Sequence, residues 1–256
     1  MKKHIACSKY KVMVYLVLFL ALFANKILAQ KEFEKEVIKT KKGDIEITFI
    51  GHASLVIKSN DKIIHLDPFS KLTDYSVLPK ADLILITHHH QDHLDLNAIN
   101  LLLKENTSII CTQKCKEGVD SLSNIIVMKN GDKQKLLNIV IEAVPAYNLV
   151  NKRENGEFYH PTGEGNGYIL TIAGKRIYIA GDTENTPEMK ALRKIDIAFL
   201  PMNLPYTMTP DMVADAVKSF KPEILYPYHF GETETQKLVD LLKDTKGIEI
   251  RMREMK

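Results

Sequence analysis

The densest chemistry in this chain lies in Thr87-His88-His89-His90-Gln91-Asp92-His93. The run reads H-x-H-x-D-H, with His88, His90, Asp92 and His93 at the fixed positions. Neutral imidazole and carboxylate are borderline ligands suited to zinc, with manganese and iron as alternatives. Alternation along the run lets His88 and His90 face one ion while Asp92 and His93 face a second. A purification tag would lie at a terminus, without an interposed Asp. This run instead follows Leu83-Ile84-Leu85-Ile86, preceded by Pro79-Lys80-Ala81-Asp82. An apolar run bounded by turn residues reads as a buried strand. The histidines therefore sit where a strand ends, which is where open α/β sheets place ligands.

Two ions need more donors than one loop supplies. Asp182 closes Tyr178-Ile179-Ala180-Gly181-Asp182, a strand whose glycine lets the backbone turn sharply. His229 follows the strand Ile224-Leu225-Tyr226 in the same manner. Asp67, at the end of Lys62–Leu66, is a candidate to accept the second ring N–H of a ligating histidine. His52, after Gly51, is a candidate to line the pocket or to assist proton transfer. His65 alternates with Ile64 and Leu66 and reads as structural.

These residues carry a resemblance. Gly51-His52-Ala53-Ser54, Leu66-Asp67-Pro68, the H-x-H-x-D-H run, Ala180-Gly181-Asp182-Thr183 and Pro227-Tyr228-His229 occur in the order shown by the metallo-β-lactamase-fold hydrolases. The resemblance spans residues 45 to 256. Within that superfamily the chain is similar to the branch of L-ascorbate 6-phosphate lactonase and N-acyl-phosphatidylethanolamine phospholipase D. It implies an α/β fold, a four-layer α/β/β/α sandwich. It implies two metal ions, most naturally zinc, with Asp182 bridging both and His229 on the second. The chain departs from the pattern at the third histidine of the first ion. After Ile139–Val144 comes Pro145-Ala146-Tyr147-Asn148, with no histidine. Either Asn148, through its carbonyl oxygen, or His160, folding back from a long loop, is the candidate for that position.

The expected chemistry is hydrolysis of an ester, lactone, amide or phosphodiester in a small-molecule substrate by metal-activated water. Asp92 is suited to orient that water while ligating, and His52 to handle the proton. Substrate walls are expected from Tyr147, Phe158, Tyr159 and Leu204-Pro205-Tyr206-Thr207-Met208. The alternative is a metal-binding but non-catalytic, degenerate member of the fold, favoured if Asn148 marks a lost first site. A tRNA-processing nuclease would show a basic groove or an RNA-binding arm. A flavin-dependent diiron reductase would need a second domain, for which the chain is too short.

Composition agrees with one globular domain after a distinct N-terminus. Residues 1–29 combine Lys2, Lys3, Lys9 and Lys11 with an apolar run from Val12 to Ala24 and a small residue at Ala29. That pattern is a signal peptide, too short for a comfortable membrane span. Its removal takes five lysines, so the formal charge falls from +3 to −2. The basicity is thus an export signal rather than a nucleic-acid footprint. The mature chain is expected to start near Gln30, in the periplasm or outside the cell, with no stable membrane insertion. Residues 30–44 read as a charged linker and 45–256 as the hydrolase domain. Cys111 and Cys115, four apart, read as free structural thiols.

The remaining text alternates strands and helices. Strands are expected at 45–50, 54–58, 62–66, 83–87, 108–111, 125–128, 139–144, 168–172, 176–180, 196–200, 224–226 and 248–251. Helices are expected at 96–104, after Asp95 as cap, at 114–122, after Thr186-Pro187, from Thr209-Pro210 to Phe220, and at 233–243. Asn130-Gly131 reads as a tight hairpin turn, and 148–167 as a long functional loop. Two halves, each with strands first and helices later, fit two packed sheets with helices outside.

Overall fold

The computed structural model describes residues 32–256. Residues 1–29, expected from the sequence to be a signal peptide, lie outside the described residues. Fourteen strands form two sheets of seven. The first holds β1 (Lys35–Ile38), β2 (Ile45–Gly51), β3 (Ser54–Ser59), β4 (Lys62–Leu66), β5 (Leu83–Leu85), β6 (Ser108–Cys111) and β7 (Ile125–Val127). The second holds β8 (Lys133–Leu136), β9 (Ile139–Ala146), β10 (Gly165–Ile172), β11 (Lys175–Ile179), β12 (Ile197–Pro201), β13 (Ile224–Tyr228) and β14 (Glu249–Ile250). Each sheet keeps its strands in chain order. Each also begins as an antiparallel meander and ends as parallel strands, from β4 onward in one and β11 onward in the other.

The strand pattern explains the layers. In β2, Ile45, Ile47 and Phe49 point one way and enter the core between the sheets, where they meet Ile177, Ile179, Ile197 and Phe199. In β12, alternate residues Ala198 and Leu200 face outward. There they pack on Val213, Ala216 and Val217 of the helix Pro210–Phe220, here α4, and on Leu238 and Leu242 of α5 (Thr235–Leu242). The first sheet behaves alike. Leu83, Leu85 and Ile110 enter the core, while Ile84, Ile109 and Cys111 are buried on the other face. On that side α1 (Leu96–Leu102) and α2 (Gln113–Val119) bury Ala98, Ile99, Leu102, Cys115 and Val119. A short α3 (Pro187–Lys190) precedes β12. The four-layer α/β/β/α sandwich is what this periodicity must produce.

Helix starts follow their caps. The Asp95 carboxylate accepts from the Asn97 and Ala98 amides ahead of α1. Thr186 and Thr209 do the same for α3 and α4, each followed by proline at the first helical position.

Three expectations need correction. The segment 30–44 is not simply a linker: Lys35–Ile38 is an edge strand paired antiparallel with Ile45–Thr48. Its charges hide it, because an edge strand alternates half-buried and exposed residues and carries no apolar run. The Asn130-Gly131 turn does not make a hairpin. β7 belongs to the first sheet and β8 to the second, so that turn is where the chain crosses between them. The hairpin follows at Leu137-Asn138, both with positive φ, between β8 and β9. The long loop is shorter than expected, since Gly165 to Gly167 pair with β9.

His65 is structural, as its alternation implies. It is buried and its Nε2 donates to the Pro79 carbonyl at 2.9 Å. Burial pushes its pKa down to about 4. Cys111 and Cys115 are both free and buried, and burial raises both thiols, so neither is poised as a nucleophile. No helix among the described residues is long and apolar enough to cross a membrane.

Candidate metal centre

Every metal-ligand candidate named from the sequence converges at one end of the sandwich. Strands β5, β11 and β13 are parallel members of their sheets and deliver His88, Asp182 and His229 just past their last residues. The turns are tight. His52, Asp67 and His229 have φ of 52°, 41° and 44°, and Gly181 has φ of 65°. Positive φ is costly for residues other than glycine and collects at functional sites. At Gly181 a side chain would also meet the Asn166 carbonyl and the Thr87 side chain, each at 3.0 Å. Glycine there is what lets Asp182 come so close to the loop after β5.

Among the described residues two outer groups of donor atoms result, with a third, His88, His93 and Asp182, joining them. In the first, ligand atoms of His88, His90 and His160 lie within 4.8 Å of one another. In the second, His52, Asp92, His93 and His229 do the same. Asp182 stands between them. Its Oδ2 is 3.3 Å from His160 Nε2 and 3.5 Å from His229 Nε2, and its Oδ1 is 3.5 Å from His93 Nε2. Asp92 Oδ2 reaches His52 Nε2 at 3.0 Å, His229 Nε2 at 3.7 Å and His93 Nε2 at 3.8 Å.

The surrounding hydrogen bonds decide which nitrogen of each ring carries its proton. Asp67, fully buried, accepts from the Thr87 amide at 2.8 Å and the Thr87 hydroxyl at 2.6 Å. It also accepts from His93 Nδ1 at 2.8 Å, which leaves a lone pair on His93 Nε2. Since the Thr87 hydroxyl donates to Asp67, its oxygen is left to accept from His88 Nδ1, 3.1 Å away. His88 Nε2 is then also a lone pair, and it faces His90 Nδ1 at 3.0 Å.

The choice between Asn148 and His160 has a clear geometric outcome. The Asn148 Oδ1 accepts from the His160 amide at 2.7 Å and from His160 Nδ1 at 2.9 Å. His160 Nε2 therefore points its lone pair at Asp182, and Asn148 stands behind it. The Asn148 amide is itself oriented, because its Nδ2 donates to Glu184 Oε1 at 3.1 Å and to the Tyr206 carbonyl at 2.9 Å. Glu184 is fully buried and collects three more donors, the amides of Leu149 (2.7 Å), Val150 (2.8 Å) and Asn151 (2.8 Å). A buried carboxylate held by this nest of N–H groups needs no cation beside it.

Four buried atoms at the centre have no hydrogen-bond partner among the described residues: His93 Nε2, His160 Nε2, His229 Nε2 and Asp182 Oδ1. Unpartnered buried polar atoms are rare and demand an explanation. The charges point the same way. Burial would raise Asp182, but His229, His93 and His160 hold it well below the usual carboxylate range. Burial likewise opposes ionisation of Asp92, yet His229 and His52 hold it ionised. Burial drives His88 well down and takes His90, beside His160 and His89, to about 4. Burial also lowers His93, but Asp182 and Asp67 outweigh it and raise the ring to about 9. His93 is thus cationic in the metal-free cluster and would give up its Nε2 proton to a bound cation; with it, neutral His88 and His90 and the ionised carboxylates are the donor set that a divalent cation requires.

A cavity of about 420 Å³ opens over the cluster, walled by Arg153, Tyr159, Asn203 and Tyr206 as well as His52, His90, Asp92, His160, Asp182 and His229. Tyr159 and Tyr206 are walls as expected. Tyr147 is not, because its hydroxyl donates to Glu188 on the exposed outside. Phe158 lines a neighbouring cavity, Leu204 a third, and Thr207 and Met208 are buried beneath. Sequence reading missed Thr87, Arg153, Glu184 and Asn203, whose amide lies 3.3 Å from His229 Nδ1. Only the position of Glu184, two residues past Asp182, could have drawn notice.

Residues 46–229 match the family model described as "Beta-lactamase superfamily domain". A metal-dependent hydrolase of Nanoarchaeum equitans is 30% identical over 190 residues, 73% of this chain and 84% of the relative. A crystal structure from Parabacteroides distasonis, assigned as a metal-dependent hydrolase, shares 48% identity and superimposes with a TM-score of 0.83. It covers 88% of this chain and 100% of its own. A metallo hydrolase structure from Ignicoccus hospitalis, at 23% identity and a TM-score of 0.69 over 82% of this chain and 95% of its own, shares the fold.

Glu184 yields a direct test of this scaffold. Glu184→Gln places an NH₂ group among four donors and removes the charge they solvate. Hydrogen bonds to charged groups contribute about 1.5–3 kcal/mol, so stability in urea should fall by roughly that amount. Amide exchange at Leu149, Val150 and Asn151 should accelerate selectively. Unchanged stability with unchanged protection at those three amides would show that the carboxylate does not hold the loop.

Proposed function

The chain belongs to the beta-lactamase superfamily, and from that premise we propose that it is an exported zinc-type hydrolase cleaving an ester, lactone, amide or phosphodiester bond in a small molecule. Its relatives support metal-dependent hydrolysis as the general activity. The observation that carries the finer reading is the set of four buried, unpartnered atoms on His93, His160, His229 and Asp182. In this reading His88, His90 and His160 hold one cation, and Asp92, His93 and His229 the other. Asp182 is shared by both. Divalent cations bound there would lower the pKa of water toward neutrality and polarise the substrate oxygen.

The chain's own residues supply the rest. The Asp92 side chain is 38% exposed, against 19% for His52 and 3% for His229, and lines the cavity, so it can accept a hydrogen bond from the attacking water. His52 Nε2 lies 3.0 Å from Asp92 Oδ2 and donates to the ionised carboxylate. Burial lowers His52, as do the neighbouring rings His229 and His93, against the pull of Asp92, so it is neutral and its lone pair is on Nδ1. Asn148 and Asp67 fix the rings of His160 and His93 and touch no reacting atom. The alternative, a metal-binding member without activity, rests on an incomplete first group of nitrogens. His160 Nε2 supplies the nitrogen in question.

Metal analysis combined with rates on a p-nitrophenyl ester and bis(p-nitrophenyl) phosphate tests this. Chelation should abolish hydrolysis and added zinc or manganese restore it. Asp182→Ala should drop bound metal to one equivalent or less. Turnover should fall by at least the ~10- to 100-fold typical of lost supporting partners. Full metal content together with wild-type turnover in that variant would sink the proposal.

Export rests on residues 1–29. Intact-mass measurement of protein recovered outside the cytoplasm should give a chain starting at Gln30. Recovery of only the full-length chain, in the membrane fraction, would contradict it.

A further inference from the structure

Arg153 stands between two cavities. One, of about 420 Å³, holds the carboxylate–imidazole cluster. The other, of about 480 Å³, adjoins it. His90, Arg153 and Tyr159 belong to both walls. The guanidinium is held in place although it is exposed. The Arg153 amide donates to the Glu157 carbonyl at 2.7 Å, and the Gly156 amide returns to the Arg153 carbonyl at 2.9 Å. Lys152 and Phe158 bridge across the same short hairpin. The guanidinium carbon lies 4.9 Å from the Tyr159 ring centre. A cation over an aromatic ring at this distance is held by a cation–π contact, and Lys152 Nζ lies likewise 4.6 Å from the Phe158 ring centre.

Although Glu157 and Glu164 line the adjoining cavity, among the described residues no acid is paired with this guanidinium. Its side-chain contacts are His90 Nε2 and the Tyr159 carbonyl, both 3.4 Å from Nη2. Both are long for hydrogen bonds. The other cation on these walls, Lys114, is already paired with Glu164 at 2.9 Å. Arg153 therefore keeps most of its five donors free. The contact with His90 is also conditional. His90 turns Nδ1 toward His88 Nε2. A His90 that offers Nδ1 to a cation carries its proton on Nε2, which can then no longer accept from Arg153. Filling the cluster thus frees a further donor. Two divalent cations would exceed the charge of Asp92 and Asp182, so the cavity that holds the cluster would be positive beside Arg153, while the adjoining cavity sets Lys114 and Arg153 against Glu157 and Glu164.

We infer that Arg153 forms an anion subsite beside the centre, and that the substrate carries a carboxylate or phosphoryl group docked on its planar fork. Both groups accept two parallel N–H bonds from arginine. The inference rests on the hydrolase reading above. It concerns which molecules are accepted, not how the bond is broken.

The test uses the full mature chain reconstituted with zinc, as wild type, Arg153→Gln and Arg153→Lys. Rates are compared on p-nitrophenyl hydrogen succinate, which is anionic, and p-nitrophenyl butyrate, which is neutral. Binding of succinate and of inorganic phosphate is followed by calorimetry. Arg153→Gln should raise KM for the anionic ester by roughly ten- to a hundredfold, the weight of a lost charge-assisted pair. The neutral ester should lose far less than the anionic one, so the ratio between them should fall, and Arg153→Lys should fall between. The anion whose affinity falls more in Arg153→Gln identifies the carboxylate or the phosphoryl group as the natural partner. An identical ratio between the two esters in wild type and Arg153→Gln, with unchanged succinate and phosphate affinities, would overturn the subsite. If neither ester is cleaved by any of the proteins, the hydrolase reading fails instead. The calorimetry then still decides: weaker anion binding in Arg153→Gln upholds the subsite, and equal binding overturns it.

Discussion

A buried carboxylate surrounded by imidazole lone pairs is the constraint on which this molecule is built. The Asp182 side chain is 4% exposed, and one of its oxygens has no donor among the described residues. Burying an ionised carboxylate costs several kcal/mol unless positive charge or hydrogen bonds compensate. Among the described residues no lysine or arginine pairs with Asp182; its neighbours within reach are His93, His160 and His229. Divalent cations satisfy the carboxylate and the ring nitrogens together. Without them, the raised pKa of His93 is one local compensation among the rings that face Asp182.

The rest of the site serves to keep those lone pairs aimed. Two further buried carboxylates act at one remove. Asp67 gathers Thr87 and His93, and through Thr87 it also sets His88. Glu184 gathers the loop amides and Asn148, and through Asn148 it sets His160. Neither touches the central cavity. The backbone contributes too: the His229 amide donates to the His52 carbonyl at 2.9 Å, joining two strained turns from different sheets. Because the sheets share a core of interlocking Ile, Phe and Tyr side chains, turns from both can be held in one register. Phe49 of the first sheet meets Tyr226 of the second with ring centres 5.3 Å apart.

Much of this was legible in the amino-acid sequence because the chemistry is local. His88, His90, Asp92 and His93 are neighbours in one loop, and Asp182 and His229 announce themselves by following apolar strands. The alternation Ile45-Glu46-Ile47-Thr48-Phe49 reveals a covered sheet face. What stayed hidden is what only the fold assembles. Asn148 and His160 both stood as candidates for one position, but their relation needs the third dimension: one holds the other. Glu184 and Arg153 read as ordinary charges because their roles depend on loops 30 or more residues distant in the chain. β1 escaped because an edge strand carries no apolar run, and the Asn130-Gly131 turn misled because a hairpin and a crossing between sheets share the same local signal.

The most direct measurement is anomalous diffraction at the metal absorption edge, from crystals of the protein as purified. Two peaks should flank the Asp182 carboxylate at about the 3.5–4 Å separation of two-metal sites. One should be within bonding distance of His88, His90 and His160, the other of Asp92, His93 and His229. A single peak, or a first ion bound by Asn148 with His160 turned away, would contradict the shared-carboxylate centre.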